Sequence, residues 1–375
     1  MSWAQKAAAL AHQVTHDTSR WRWPVACVPR HHFVPCWWER GEDSWLLRQG
    51  LLDEDQWFEK AYRDTSLLTR VGPLHADDAH RGEQPVGMPT SSATLPSLLV
   101  RMFQHGQIAD GHELLDVGTG SGYGTALACM RLADVQVTSI DVDPYLVDAA
   151  RARLAAIQLH PRLEAVDATG KLPGVYDRIV ATVGVRPVPA SWLAALKPGG
   201  RLVTTIAGTS LIVTAEKQDD GSARGRVEWD RAGFMRTRHG DDYPPQAAEL
   251  IATAREAGGE ALTQGRYPVI DIEQAWDLSS MLEIIVPGVM YGYETEGKWR
   301  TTWLAHRDGS WARATSKGGG RPDVHQSGSR GLWDTLDEIR TYWLQQGELP
   351  VRGANVLITP EGRTLLARGQ WRAAL

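Results

Sequence analysis

Apolar runs of strand length alternate with segments of helical periodicity through the middle of the chain, and this order constrains the fold more than any other feature. The strands are predicted at residues 112–118, 135–141, 163–166, 176–182, 199–206 and 210–216. The helices are predicted at residues 95–106, 125–133 and 144–157, with a further short helix around Trp192. Such alternation is typical of parallel βαβ units. The sequence therefore predicts an α/β fold.

A glycine-rich turn follows the first of these strands, in the string LLDVGTGSGYG. Its Gly118, Gly120 and Gly122 permit positive φ angles and let a ligand approach the backbone without a Cβ in the way. Such a run is a weak signal alone, because any tight strand-to-helix turn can use it. Two acids strengthen the signal of a nucleotide site. Asp141 ends the second strand, where a carboxylate can accept from both hydroxyls of a ribose, and Asp167 follows the third strand.

Other interpretations of these acids remain open. A nicotinamide enzyme also carries an acid after its second strand, but the form D-x-G-x-G-x-G, which begins at Asp116, differs from G-x-G-x-x-G. Any one of the acids could instead cap a helix or face solvent. For Asp143 a helix cap is the preferred interpretation, and for Asp177 a structural role at the start of a strand.

The combined pattern, with the string LKPGG at 196–200, resembles the S-adenosylmethionine (SAM) methyltransferases of the Rossmann-like class. The resemblance implies SAM as the cofactor, with the acid after the third strand accepting from the adenine amino group. The cofactor-binding residues that it implies are Asp116, Gly118, Thr119, Gly120, Gly122, Asp141, Val142, Asp167 and Ala168.

Three strings outside the glycine turn narrow the class. VPRHHFVP at 28–35, AYRDTSL at 61–67 and PTSSATLP at 89–96 resemble the protein-L-isoaspartate O-methyltransferases in order and spacing. The resemblance covers roughly residues 20–215. It implies that Ser92, with Thr90 and Ser91 adjacent, lies beside the substrate carboxylate. The chain departs from the family pattern directly after Ser92, and this serine could alternatively cap the helix that begins near Leu95.

The extra length of the chain suggests a specialised substrate. Overall the chain is similar to the isoaspartyl-type methyltransferases of gene clusters for ribosomally made peptides, especially graspetides and lanthipeptides. That similarity implies methylation of an Asp side chain in a macrocyclised peptide, graspetide favoured, followed by aspartimide formation. The partner is then a modified peptide precursor, with or without its leader peptide. Two alternatives are repair of isoaspartyl proteins and a non-catalytic peptide-binding role.

Composition and charge argue against other classes of partner. With 40 Lys and Arg against 45 Asp and Glu, the net charge is −5, which gives no electrostatic footprint for nucleic acid or an anionic membrane. Cys27, Cys36 and Cys129 form no metal-ligand pattern, and the pair His31 and His32 lacks further ligands at suitable spacing. We expect no metal and a cytoplasmic location, while the oligomeric state stays open.

Tryptophan divides the 375 residues unevenly, because none of the 16 Trp residues lies between Trp57 and Trp192. We predict a Trp-rich, helical, substrate-side region at 1–85, a SAM-binding Rossmann-like domain at 86–235, and an α+β module at 240–375 that recognises the peptide. Residues 219–225 are predicted as a hairpin turn and 317–331 as a loop. The Trp residues are expected mainly to fill cores. The alternative is that four of them grip the peptide: Trp37, Trp38, Trp299 and Trp303.

Overall fold

A computed structural model describes residues 2–42, 44–239, 243, 248–348 and 351–375. The N-terminal region combines helices with a small antiparallel sheet. Its helices are α1 (Trp3–Val14), α2 (Arg22–Cys27) and α3 (Glu54–Ala61), with short 3-10 helices at Arg30–Phe33 and Gly50–Leu52. Its strands are β1 (Cys36–Arg40), β2 (Trp45–Gln49), β3 (Leu67–Val71), β4 (Leu74–His75) and β5 (Pro89–Ala93). They pair in the order β2-β1-β3-β4, with β5 also against β3.

The expectation that residues 1–85 are helical is therefore wrong in part. The strand β1 carries Trp37 and Trp38 on opposite faces, and each side chain is buried in a different apolar cluster. A strand with large side chains buried on both faces has no alternation of apolar and polar residues, so its period is hidden in the sequence.

The central region contains the predicted alternation of strands and helices. Its helices are α4 (Pro96–His105), α5 (Tyr123–Arg131), α6 (Pro144–Ala156) and α7 (Ala190–Ala195), with a 3-10 helix at Asp134–Gln136. Its strands are β6 (Leu114–Val117), β7 (Val137–Asp141), β8 (Arg162–Ala165), β9 (Tyr176–Val185), β10 (Leu196–Ile206), β11 (Leu211–Lys217) and β12 (Ala223–Arg231). Strands β6 to β10 pair in parallel, and β11 and β12 continue the sheet antiparallel. The predicted hairpin turn at 219–225 is confirmed between β11 and β12, although its last three residues belong to β12.

The C-terminal region adds a second antiparallel sheet with helices. Its helices are α8 (Ala248–Glu256), α9 (Trp276–Ile285) and α10 (Leu332–Gln345). Its first five strands are β13 (Ala261–Gln264), β14 (Met290–Glu296), β15 (Trp299–Ala305), β16 (Trp311–Lys317) and β17 (Asp323–Ser327), in the order β13-β17-β16-β15-β14. Strand β17 lies inside the segment predicted as a loop, so that prediction is wrong for these residues. Val324 is fully buried and pairs with Ala314, and this tertiary contact overrides the local glycine and serine content.

The last strands return to the central sheet. They are β18 (Asn355–Ile358), β19 (Thr364–Arg368) and β20 (Trp371–Ala374). Because β18 pairs antiparallel with β12, the large sheet has the order β20-β19-β18-β12-β11-β10-β9-β6-β7-β8. One apolar core contains Trp192 of α7 together with Met281 of α9 and Trp333 of α10. The C-terminal region is thus packed onto the central sheet, and the boundary predicted near residue 240 stays a prediction.

Among the residues that the structure describes, no helix is both long enough and apolar enough to cross a lipid bilayer.

Candidate active site

A cleft lies at the carboxyl ends of β6, β7 and β9, where the glycine-rich turn enters α5. Gly118, Gly120 and Gly122 all have positive φ angles, of 99°, 51° and 90°. A Cβ on Gly118 would lie 2.8 Å from Thr182 Oγ1, and one on Gly122 would lie 3.0 Å from the Ala150 Cβ. Only glycine fits these two positions without displacing a neighbour. The turn forms a cradle of bare backbone on the floor of the cleft.

Asp116 supports this cradle from below. Its carboxylate accepts from the Thr125 hydroxyl at 2.7 Å and from the Ser139 hydroxyl at 3.0 Å. The Ser139 hydroxyl also lies 2.7 Å from that of Thr119, which lines the cleft. Burial raises the pKa of Asp116 to about 6, against the opposing effect of the two hydroxyl donors. Asp116 therefore fixes the turn through neighbouring side chains and also lines the cleft.

Asp141 and Val142 line the adjoining wall. One oxygen of the Asp141 carboxylate accepts from the Gly120 amide at 2.9 Å, and the other accepts from the Asp143 amide at 3.1 Å. Burial raises the pKa of Asp141, while these two amides oppose the shift. A carboxylate has about four acceptor positions, so Asp141 can still accept from hydroxyls of a ligand. The neighbouring Asp143 caps α6 through the Tyr145 amide at 3.0 Å, which confirms its predicted role.

Asp167 is placed differently from the other predicted acids. Its carboxylate accepts from the Thr169 amide at 2.8 Å and from the Thr169 hydroxyl at 2.7 Å, and it lies 2.8 Å from His239 Nδ1. Partial burial raises the pKa of Asp167, but the His239 and Thr169 contacts outweigh it, so the net shift is downward. The wall of the cleft includes Val166 and Ala168 rather than Asp167 itself, and Gly122 likewise lies behind the wall.

Strand β5 brings its three predicted hydroxyl residues to the opposite side of the cleft. The Thr90 hydroxyl donates to the Gly72 carbonyl at 3.1 Å, and the Ser91 hydroxyl accepts from Thr69 at 2.9 Å. Ser92 is half-buried, and within the described part of the chain its hydroxyl has no hydrogen bond. Its carbonyl oxygen would lie 3.4 Å from a Cβ on Gly120, so β5 runs directly beside the glycine cradle. Of these three hydroxyl groups, that of Ser92 is therefore the one available to a ligand.

The alternative role of Ser92 as a helix cap is not observed. The N-cap of α4 is Leu95, which makes no side-chain capping hydrogen bond, and Pro96 opens the helix. The Ser97 amide in the first turn donates instead to the Asp64 carboxylate at 2.9 Å, so Asp64 rather than Ser92 satisfies the start of this helix. Asp177 has the structural role that was predicted, because it accepts from the Glu113 amide at 2.8 Å and pairs with Lys197.

The sequence did not indicate the cover of the cleft. Residues 233–238, which we call the roof segment, follow β12 and line the cleft together with Tyr243. Two backbone hydrogen bonds join the roof segment to Gly184, one on each side of Arg236. The Gly184 amide donates to the Met235 carbonyl at 2.8 Å, and the Thr237 amide donates to the Gly184 carbonyl at 2.9 Å. The only local signal is the pair of arginines in FMRTR, which is too common to mark a site.

Two of the four Trp residues considered for peptide binding are unavailable. Trp37 and Trp38 are each only 2% exposed, so their alternative role is wrong and core packing is their role. Trp303 is half-buried against the small apolar cluster that contains Trp311, whereas Trp299 is 51% exposed. Of this set, Trp299 alone presents most of its ring to solvent.

Comparison with known proteins identifies the class. Residues 74–231 match the family model described as protein-L-isoaspartate(D-aspartate) O-methyltransferase. A protein-L-isoaspartate O-methyltransferase of Rhodopseudomonas palustris is 30% identical over 188 residues, which are 48% of this chain and 83% of that protein. One of Thermococcus onnurineus is 29% identical over 187 residues, which are 48% of this chain and 84% of that protein. A solved structure with the same description aligns over 100% of this chain and 99% of its own, with 15% identity and a TM-score of 0.49.

Together with the site, the family model and the two sequence relatives define a SAM-dependent protein carboxyl O-methyltransferase with a mixed α/β fold. The chain belongs to the protein-L-isoaspartate O-methyltransferase family. The cofactor is SAM, and the residues present fit it, because the backbone cradle at Gly118 and Gly120 lies beside the ligand-facing carboxylate of Asp141.

Proposed function

We propose that the enzyme methylates the side-chain carboxylate of an aspartyl residue in a ribosomally made, macrocyclised peptide, with a graspetide favoured over a lanthipeptide. The methyl ester then closes to an aspartimide. The observation that carries the proposed chemistry is the Ser92 hydroxyl, which lies on the cleft wall beside the glycine cradle and has no hydrogen bond to any residue that the structure describes. A donor at this position suits a carboxylate acceptor.

The reaction needs positioning more than acid-base chemistry. An aspartyl carboxylate with an ordinary pKa of about 4 is already ionised at neutral pH, so no base has to remove a proton from it. Bound SAM supplies an electrophilic methyl group. The task of Ser92 is to donate to one carboxylate oxygen while the other oxygen faces the methyl group, because alignment at about 3 to 3.5 Å accounts for much of the rate in such transfers.

The cofactor is assigned to the floor of the cleft. In this proposal Gly118, Thr119 and Gly120 hold the amino acid part of SAM, and Asp141 accepts from the ribose hydroxyls. Asp167 and Ala168 stay proposed for the adenine, with Asp167 oriented by Thr169 and His239. The parallel strand order β9-β6-β7-β8 supports a Rossmann-like interpretation of this domain.

The second step follows from the chemistry of the product. The backbone amide nitrogen after the methylated residue attacks the ester carbonyl, a C–N bond forms, and methanol leaves with the amide proton. The result is a five-membered succinimide. An ester is a much better acyl acceptor than a carboxylate, so this closure proceeds without a further catalytic group.

The substrate class is supported by what lies outside the family match. Residues 1–73 and 232–375 are not covered by the family model, and the roof segment, which lines the cleft, belongs to the second of these ranges. Thr94 and Leu95, which follow Ala93, depart from the family pattern, and both line the cleft. We therefore propose that the flanks, including the module at 240–375, recognise a bulky peptide or its leader, in the cytoplasm.

Repair of L-isoaspartyl proteins is the second candidate. The family match favours it, as do the names of the relatives from Rhodopseudomonas palustris and Thermococcus onnurineus. Both candidates use the same cofactor and the same carboxyl chemistry, so they differ only in the acceptor.

The deciding experiment incubates the full chain and SAM with a linear isoaspartyl peptide and, separately, with a macrocyclic peptide precursor from the same gene neighbourhood. The linear form of that precursor is the matched control. Mass spectrometry should record the gain of one methyl group and then the loss of methanol on the macrocycle alone. Turnover of only the isoaspartyl peptide would establish repair and rule out peptide maturation.

A further inference from the structure

The roof segment is attached to a helix that lies outside the family match. Arg236 donates from a guanidinium nitrogen to the carboxylate of Glu283 at 2.7 Å. Glu283 lies on α9 and is 3% exposed, whereas the Arg236 side chain remains about half exposed where it lines the cleft. A buried carboxylate is thus paired with a residue of the cofactor pocket.

The surroundings of Glu283 hold its carboxylate in one place. Both of its oxygens lie within 3.1 Å of the Gly288 amide. Arg186, two residues beyond Gly184, donates to the main-chain carbonyls of Glu283 and Ile284 at 3.0 and 2.8 Å. These contacts join α9 to the end of β9, the strand that also holds the roof segment.

The turn between β10 and β11 packs directly against the same ion pair. A Cβ on Gly208, whose φ is +78°, would lie 2.5 Å from an Arg236 guanidinium nitrogen and 2.5 Å from a Glu283 carboxylate oxygen. Ser210 in the same turn donates its amide to the Ser280 hydroxyl of α9 at 3.1 Å. The position of the ion pair is therefore determined from the central sheet as well as from α9.

The residue that follows the roof segment is attached to the loop after β8. His239, which follows the roof segment, contacts Asp167, and the roof segment lines the cleft between Gly184 and this second attachment. Its path thus runs from the end of β9 to the loop after β8.

We infer that Glu283 is a positioning residue for the cofactor pocket, because its contact with Arg236 holds the roof segment over bound SAM. The C-terminal region then contributes to cofactor retention, in addition to any contact with the peptide. The physical reason is entropic, since a cover that is already ordered loses little freedom when the ligand binds. A cover released from Glu283 must be ordered at each binding event.

The test measures SAM and S-adenosylhomocysteine affinity by calorimetry on the full chain, without any acceptor peptide. Glu283→Ala should weaken SAM binding about ten-fold through the lost pre-ordering. The matched control is Asp337→Ala, because Asp337 is equally buried, accepts from the Arg266 amide at 2.7 Å and lies on α10 away from the roof segment. It should reduce thermal stability but leave affinity within about two-fold.

Two further variants keep the inference falsifiable if Glu283→Ala does not fold. Gly208→Ala should also weaken SAM binding because it forces Arg236 and Glu283 apart, whereas Gly309→Ala, at a similar φ with open space around it, should not. In a double-mutant cycle, the single variant Arg236→Ala and the double variant Arg236→Ala with Glu283→Ala should lose the same amount of SAM affinity. Additive losses, or unchanged affinity in Glu283→Ala or Gly208→Ala, would overturn the inference.

Discussion

The floor and the roof of the cleft are built by different means. On the floor, Asp116 accepts from Thr125 and Ser139, which lie 9 and 23 residues away, and the cradle itself is a short turn. In the roof segment, the ion pair of Arg236 and Glu283 spans 47 residues and joins separate elements. The floor is thus encoded locally and shared with the family, whereas the roof depends on the region that the family model does not cover.

The largest effect on the cleft floor is expected when a Cβ is added to a glycine of the cradle. Gly118→Ala should reduce the free energy of unfolding by about 3 kcal/mol, because the φ of 99° is strained for alanine and the Cβ meets Thr182. SAM binding should be lost as well. Urea unfolding and calorimetry measure both effects. Gly309→Ala has a similar φ without the collision and should cost only about 1 kcal/mol. Equal losses in the two variants would show that the cradle is not sterically constrained.

The buried acid of the floor should give the protein a distinctive pH dependence. The pKa of Asp116 is about 6 in the folded protein and ordinary in the unfolded chain, so the folded state holds the proton more tightly. Between about pH 4 and pH 6 this group should therefore lower the free energy of unfolding as pH rises, by about 3 kcal/mol in total. Above pH 6 its contribution should be constant.

Asp116→Asn should remove that slope while keeping an oxygen for Thr125 and Ser139. Urea unfolding of both proteins at half-unit pH steps measures the difference. Other acids titrate in both, so only the difference is diagnostic. Parallel pH profiles for the two proteins would contradict the raised pKa of Asp116.

Asp141 tests the cofactor assignment on the floor. Asp141→Ala should weaken SAM binding by about 2 kcal/mol, or roughly thirty-fold, because a charged acceptor for the ribose hydroxyls is lost. Calorimetry measures the change. Asp177→Ala removes a half-buried acid outside the cleft and serves as the control. Unaltered SAM affinity in Asp141→Ala would remove this residue from the ribose site.

Ser92 tests the substrate side, where the cofactor should not be affected. Ser92→Ala should lower kcat/KM for the accepted peptide about ten-fold, the amount expected for one hydrogen bond to a charged group. SAM affinity should remain nearly unchanged. Ser97→Ala, on α4 and away from the cleft wall, is the control. An equal loss of turnover and SAM affinity in Ser92→Ala would place the serine with the cofactor instead.

The smallest effect is expected on the exposed surface of the C-terminal region. Trp299→Ala should raise KM for the accepted peptide about three-fold with little change in stability, since only an exposed ring is removed. Trp23→Ala, which removes an exposed ring from the N-terminal region, is the matched control. The same KM in all three proteins would leave Trp299 without a role in peptide binding.

Much of the floor could be predicted because each signal is local. The signals come from consecutive elements: the apolar pattern of the strands, the spacing of Gly118 and Gly120, and the acid Asp141 after the next strand. Parallel strands bring their carboxyl ends to one edge of the sheet, so these residues meet there. The roof segment could not be predicted in this way, because Arg236 is held by Glu283, which lies 47 residues further along the chain. The strand at 323–327 was missed for a similar reason, since burial of Val324 against β16 outweighs the glycines around it.

The return of β18 to β12 determines when the protein can finish folding. As the chain leaves the ribosome, β12 is complete after residue 231, but its partner strand begins only at Asn355. More than a hundred residues must be synthesised while the hydrogen-bonding edge of β12 is open to other chains. A chain that ends before residue 355 would keep that edge open permanently. Strand β18 therefore also protects the edge of β12 in the finished enzyme from pairing with strands of other chains.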